Sequence, residues 1–323
     1  MRAIALREFG GNDRLELTEV DDPKVGPDFV LIRVRGAGLN PVDWKLREGS
    51  LEGRFPHVFP VVLGWDAAGV VEQVGPAVTK VAPGDEVFAY CRKHFVGEGT
   101  YAEYVSVPED FVSRKPEAID FVHASAVPLA GLTAFQAIVE ATAVRVGETV
   151  LVHGAAGGVG TFAVQIARAR GAQVIGTATS AKHELLKDLG TTEEVDYSEV
   201  DFVEAVRESR PGGVDVVFDL FGGETLWRSV DVVADGGRIV SLADPLTDDH
   251  YRQRGIRPAY VFVRPSGSQL AELARLIDGG EMRVELEASY RLEDAAQALE
   301  RLEGGRVRGK LALEVSSGER QAG

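Results

Sequence analysis

The 323-residue sequence predicts an α/β chain in which a helix-covered parallel sheet follows a β-rich first third. Three observations carry this. Before about Asp120, short β-rich runs are separated by glycine and proline; after it, strand and helix signals alternate. At Val150 a buried strand runs through a cluster of glycines directly into a helix. Apolar residues make up 45% of the chain and charged residues 26%, the balance of a chain able to bury a sizeable core. At roughly 150 residues per domain, the length suggests two domains or one large one.

The elements follow in order. Residues 1–8 read as a charged strand without the apolar stretch of a secretion signal, and no apolar run approaches the roughly 20 residues of a membrane span. Strands are expected at 30–35, 67–74, 86–90 and 100–107, with Gly36-Ala37-Gly38 and Pro83-Gly84-Asp85 as turns, so this part reads as a small antiparallel barrel or sandwich. Alternation then gives a strand at 149–153, a helix at 161–170, a strand at 173–178, a helix at 182–189, and strands at 214–219, 238–242 and 258–263. Amphipathic helices near 269–277 and 293–302 flank residues 284–292, and a closing strand at 310–315 runs into a tail from Ser316.

Thirty-five Lys and Arg against fifty Asp and Glu leave a net charge of −15, which disfavours nucleic acid and anionic lipid as partners. A single cysteine, Cys91, precludes an intrachain disulfide, and a reducing, cytoplasmic location is expected.

The strongest chemical signal is His153-Gly154-Ala155-Ala156-Gly157-Gly158-Val159-Gly160, an A-x-G-x-x-G turn between strand and helix. Glycines let backbone approach a pyrophosphate closely, and the helix start offers it N–H groups and a positive dipole end. Ala156, Gly157, Gly158 and Val159 are therefore expected to bind a dinucleotide. An NAD site usually places an acidic residue about 20 residues on. None occurs from Thr161 through His183; Thr179, Ser180 and Lys182 stand there instead. Two hydroxyls and a cation suit a 2′-phosphate, so the expected cofactor is NADPH. Thr179 and Ser180 also suit a helix cap, and both roles can coexist.

Six segments extend the reading: Gly38-Leu39-Asn40-Pro41-Val42-Asp43-Trp44-Lys45, Leu63-Gly64-Trp65-Asp66-Ala67-Ala68-Gly69, Gly84-Asp85-Glu86-Val87-Phe88, Gly99-Thr100-Tyr101-Ala102-Glu103-Tyr104, Ala130-Gly131-Leu132-Thr133-Ala134 and Arg308-Gly309-Lys310. In this order they resemble the zinc-independent quinone oxidoreductase branch of the medium-chain dehydrogenase/reductase superfamily. The resemblance implies a Rossmann parallel-sheet domain at 123–265 inserted in a β-rich GroES-like barrel catalytic domain built from 1–122 and 266–323. Asn40 and Trp65 stand where zinc-dependent relatives look to carry a ligating Cys and His. With one cysteine and six histidines lacking ligand spacing, no metal is expected. Cys91, beside Arg92-Lys93-His94, is either an incidental thiol or one of lowered pKa.

Without a Lewis acid, an acceptor that already withdraws electrons is favoured: a quinone, or an alkene conjugated to a carbonyl. The expected activity is NADPH-dependent hydride transfer to a quinone. The alternatives are reduction of a conjugated C=C bond in an enone or enoyl group, or an NADPH sensor with little turnover. The catalytic candidates are Asn40, to hydrogen-bond the acceptor carbonyl or a ribose hydroxyl, and Asp43 with Lys45, as an ion pair shaping that loop or with Lys45 stabilising enolate charge; the alternative is that Asp43 and Lys45 only brace the loop. By resemblance, Thr133 lies near the nicotinamide, Phe221 and Gly222 line the cofactor cleft, Phe262 and Val263 meet the carboxamide, and Tyr197 lies near the adenosine phosphate. Arg308 and Lys310 serve cofactor phosphate or cap strand ends. Trp65 and Tyr90 flank the substrate or belong to the core. The partner expected besides a small-molecule substrate is a second copy of the chain, pairing through 258–263, where Val261 and Val263 suit a paired edge.

Overall fold

Strand Phe29–Gly38 gathers both ends of the chain. It pairs antiparallel with Asp66–Val74 and Tyr104–Pro108 from the first third, and with Lys310–Glu314 from the far end. The structure, a computed structural model, describes residues 1–246 and 250–316. The tail expected after Ser316 lies outside the described residues. The chain divides into two compact units, Met1–Leu132 with the chain from Pro265 onward, and Thr133–Arg264.

In the first unit, a seven-stranded sheet runs in the order Leu286–Arg291, Lys310–Glu314, Phe29–Gly38, Asp66–Val74, Glu86–Tyr90, Val112–Arg114, with Tyr104–Pro108 pairing off Phe29–Gly38. A three-stranded sheet of Glu16–Glu19, Arg2–Leu6 and Val61–Val62 accompanies it. Helix Phe121–Ser125 packs on Phe29–Gly38 and Asp66–Val74. It comes so close that a Cβ on Gly38 would lie 2.3 Å from the Ser125 carbonyl, so only glycine fits. This packing is why the units part at 132/133 and not at the expected 122/123: the helix is held by the sheet before it.

The second unit holds a six-stranded, all-parallel sheet: Glu193–Val195, Gln173–Thr177, Thr149–Val152, Val214–Asp219, Val233–Ser241, Arg257–Tyr260. Counted along this unit, the strands lie third, second, first, fourth, fifth, sixth, the doubly wound order of a dinucleotide-binding fold. The central strands Thr149–Val152 and Val214–Asp219 are buried at nearly every position and read as near-continuous apolar runs, as parallel strands covered on both faces do. Leu151, Ile175, Val217 and Ile239 of the sheet share one core cluster with Phe202, Val203, Val206 and Leu226 of the helices. Each such buried side chain contributes about 1.5–3 kcal/mol. The last strand is shorter than expected, ending at Tyr260, although Val261 N–H still reaches the Ser241 carbonyl at 3.0 Å.

Candidate active site

The sheet order reverses between Thr149–Val152 and Val214–Asp219, and ligands of such sheets bind outside the carboxyl ends at that point. Both expected turns emerge there. Helix Gly158–Ala169 starts three residues earlier than its apolar periodicity indicated, with Gly157 in extended conformation at the N-cap and no side chain capping it. The first-turn N–H groups thus lack a side-chain cap. Gly154 has φ +67°, and a Cβ on Gly160 would lie 2.2 Å from the Gly154 carbonyl, so the turn is tight and glycine is required at both positions. Opposite, the buried Asp219 carboxylate accepts the N–H groups of Phe221 (3.3 Å) and Gly222 (2.8 Å) and the Ser241 hydroxyl (3.0 Å). Asp244 accepts Gly223 N–H at 2.9 Å. The two carboxylates hold a glycine turn with Gly222 at φ +75°.

Beside these turns lies a cavity of about 350 Å³ lined by His153, Thr177, Tyr197, Phe202, Phe221, Glu224, Thr225 and Arg228. Tyr197 and Phe221 are 54% and 59% exposed, large rings offered to solvent where a flat ligand could cover them. His153 is buried, its ring nitrogens 3.3 Å from the Thr177 hydroxyl and 2.9 Å from the Ser229 hydroxyl. Burial lowers its pKa to about 4, so it lines the cavity as a neutral imidazole.

The loop after the second strand is a single 3-10 turn, Ser180–Lys182, with Thr179 at its N-cap. Its geometry depends on Asp196, whose carboxylate accepts the Ser180 N–H at 2.6 Å and, at its other oxygen, the Ser198 hydroxyl (2.6 Å) and N–H (2.9 Å). Hydrogen bonds from Ser198 and Ser180 hold this carboxyl down to about 2.

In the first unit, a second group of polar residues is closed in on itself. Helix Pro41–Arg47 begins with Pro41 after Asn40, and Asp43 accepts the Asn40 backbone N–H at 2.8 Å. The Tyr101 hydroxyl donates to the same Asp43 oxygen at 2.9 Å. The Asn40 amide donates to Asp66 at 2.9 Å, while its oxygen accepts the Lys310 ammonium at 2.6 Å. Lys310 also donates to the Leu39 carbonyl at 2.6 Å and stands 3.9 Å from Asp66. Burial raises Asp43 to about 7 and Asp66 to about 6, with Lys310 opposing the rise in both; it lowers Lys310 and raises Tyr101. Asp43 Oδ1 is buried with no hydrogen-bond partner.

Comparison with known proteins fits this architecture. An alcohol dehydrogenase GroES-like domain matches residues 26–117, and a zinc-binding dehydrogenase domain matches 189–313. The quinone oxidoreductase of Mus musculus is 33% identical over 328 residues, covering 97% of both chains. The chain belongs to the quinone oxidoreductase branch of the medium-chain dehydrogenase/reductase superfamily. It is accordingly an oxidoreductase. The chloroplastic NADPH-dependent alkenal/one oxidoreductase of Arabidopsis thaliana is 34% identical over 322 residues, covering 97% of this chain and 79% of its own. Escherichia coli quinone oxidoreductase complexed with NADPH superposes with a TM-score of 0.87 at 29% identity, covering 97% of this chain and all of its own.

For a member of this branch, the polar group around Asn40 does not fit zinc. The lysine ammonium of Lys310 already stands among the Asn40 and Asp66 oxygens, and a second cation there would be repelled. Among the described residues, no group of three or more His, Cys, Asp or Glu is arranged to hold a metal. No helix among them is long and apolar enough to cross a membrane.

Several expected roles change. Asn40 is 2% exposed with its amide committed on both sides, and Asp43 is fully buried, so both position their loop and neither presents an atom to substrate. Asp43 pairs with Asn40 N–H and Tyr101; Lys45, on the exposed side of the helix, lies over the Trp44 ring at 5.5 Å, so no Asp43–Lys45 ion pair forms. Lys310 is buried and cannot serve a phosphate. Arg308 is exposed, its N–H given to Glu287. Trp65 and Tyr90 resolve as core, buried edge-to-face 6.2 Å apart. The Cys91 thiol is buried and its pKa pushed up, not lowered. Thr133 and Ala156 are buried; Gly157, Gly158, Val159, Thr179, Lys182 and Val263 are half-buried, and Ser180 and Phe262 exposed. Sequence reasoning quoted Asp66 and Tyr101 within motifs without giving them a role, their partners Asn40 and Asp43 being distant in sequence, and it assigned no role to Asp196, Asp219 or Arg228.

Proposed function

We propose that the chain is an NADPH-dependent, zinc-independent reductase that delivers hydride to a quinone. The observation that carries this is the uncapped glycine turn beside an aromatic-walled cavity at the carboxyl ends of the parallel sheet. Gly157, Gly158 and Val159 would hold the pyrophosphate, Tyr197 and Phe221 the adenine, and Ser180 with Lys182 the 2′-phosphate. The Asp219-held turn would present Phe221 and Gly222 to the rest of the cofactor. NADPH, when bound, supplies the hydride; a quinone then needs only a proton to complete its two-electron reduction. With Lys310 in place of a metal, the protein offers no Lewis acid at Asn40, which favours an acceptor that is itself electron-poor. Lys45 is the one exposed group among the three catalytic candidates and is assigned to stabilise developing negative charge on the acceptor oxygen.

A conjugated enone is the second reading, favoured by the similarity to the Arabidopsis thaliana alkenal/one oxidoreductase. NADPH consumption against matched quinones and enones, with product identification, separates the two. Turnover on quinones supports the first reading; saturated ketones as the main products would replace it with the second. We further propose a homodimer formed through the edge strand Arg257–Tyr260 and the segment beyond it, in the cytoplasm, where the lone buried thiol stays reduced. A monomer on gel filtration at micromolar concentration would contradict the dimer.

A further inference from the structure

The turn assigned to the 2′-phosphate carries an internal carboxylate. Asp196, just beyond the third strand of the parallel sheet, takes the Ser180 N–H at 2.6 Å. Its other oxygen is fixed by the Ser198 hydroxyl and N–H, at 2.6 and 2.9 Å. That N–H is a donor a phosphate at this turn would also use. A bound 2′-phosphate would therefore compete with Asp196 for that donor and stand beside its negative charge, whereas a 2′-hydroxyl would meet neither obstacle.

We infer that Asp196 is a specificity-determining residue: it shapes the Ser180–Lys182 turn while opposing the phosphate, and so limits the preference for NADPH over NADH. The inference rests on the proposed location of the 2′-phosphate at this turn. Asp196 is ionised throughout the neutral range, so the opposition is present under ordinary conditions. Replacing it by asparagine removes the charge and keeps the size, while its single oxygen can still accept from Ser180 or from Ser198 but not from both ends at once.

The test compares dissociation constants of NADPH and NADH for the full-length protein and for Asp196→Asn, Lys182→Ala and Ser180→Ala, at low and high salt. Asp196→Asn is expected to tighten NADPH about fivefold while leaving NADH within about twofold, with the gain shrinking at high salt as the repulsion is screened. Lys182→Ala is expected to weaken NADPH alone. If Lys182→Ala weakens NADPH selectively but Asp196→Asn leaves the NADPH-to-NADH ratio unchanged or lowers it, the inference fails and the phosphate location stands. If Asp196→Asn weakens both cofactors equally, Asp196 is only structural, and the inference again fails. If neither Lys182→Ala nor Ser180→Ala alters the ratio, the phosphate is not held at this turn, and location and inference fall together.

Discussion

The two polar regions of this chain handle their hydrogen-bonding groups in opposite ways. Around Asn40, a network of Asn40, Asp43, Asp66, Tyr101 and Lys310 is buried and turned inward, with Asp43 Oδ1 as its one unpartnered oxygen. Around Gly157, the donors are backbone N–H groups at an uncapped helix start, beside exposed aromatic rings and a cavity of about 350 Å³. The first region spends its charge on holding strand ends together. The second leaves its donors for something not part of the chain. Polar residues alone do not mark a binding site; what marks it is polarity the protein leaves unsatisfied.

That contrast is most severely tested by removing Lys310. Lys310→Met leaves Asp66 buried without its cation, and a loss of about 3–5 kcal/mol in stability is expected. The double variant Lys310→Met with Asp66→Asn should recover most of it in urea unfolding. A single variant as stable as the parent would mean the network is not the closed, charge-balanced unit described.

Gly160→Val attacks the other region. Its side chain would enter the 2.2 Å gap to the Gly154 carbonyl and push the turn outward. NADPH affinity should fall by about 100-fold, roughly 2.7 kcal/mol, by titration. An unchanged dissociation constant would remove the turn from the cofactor site.

Asp43→Asn sharpens the comparison through pH. The folded carboxyl keeps its proton up to about 7, whereas an unfolded aspartate releases it near 3.8. The folded state therefore binds more protons between those values, and the contribution of Asp43 to stability falls as pH rises through that window. Asparagine can still accept from Asn40 N–H and Tyr101, with its amide placed where Oδ1 has no partner. The variant should match the parent within about 0.5 kcal/mol at pH 5 and exceed it by about 2–3 kcal/mol at pH 8, the two pH units between 5 and the folded pKa being worth about 1.4 kcal/mol each. A stability difference that does not change with pH would contradict the buried, proton-holding carboxyl.

The smallest effect expected is from Phe221→Ala or Tyr197→Ala, each weakening NADPH and NADH alike by about two- to tenfold through loss of ring contact. A selective loss of one cofactor would mean the rings touch the phosphate end and not the shared adenine.

What was legible in the sequence follows the same division. The glycine turn could be read because its requirements are local: a strand, small residues at fixed offsets, then a helix. Strands Glu86–Tyr90 and Val214–Asp219 were likewise marked by their own residues and came out with the expected bounds. The Asn40 network could not be read, because its members lie 26, 58 and 270 residues apart along the chain in their respective hydrogen bonds. Lys310 looked like a phosphate ligand until the pairing of Ala312 with Gly38 brought it beside Asn40. Cys91 resolves to the incidental thiol of its two readings, because Arg92, Lys93 and His94 are neighbours in sequence but burial decides the thiol's pKa.

The central claim is that this chain reduces its acceptor with NADPH and without a metal, a lysine ammonium standing in the Asn40 network. NADPH oxidation with a quinone, measured before and after exhaustive chelation and again after adding zinc, tests it most directly. The same rate in all three conditions is predicted. Loss of activity on chelation with recovery on adding zinc would contradict it.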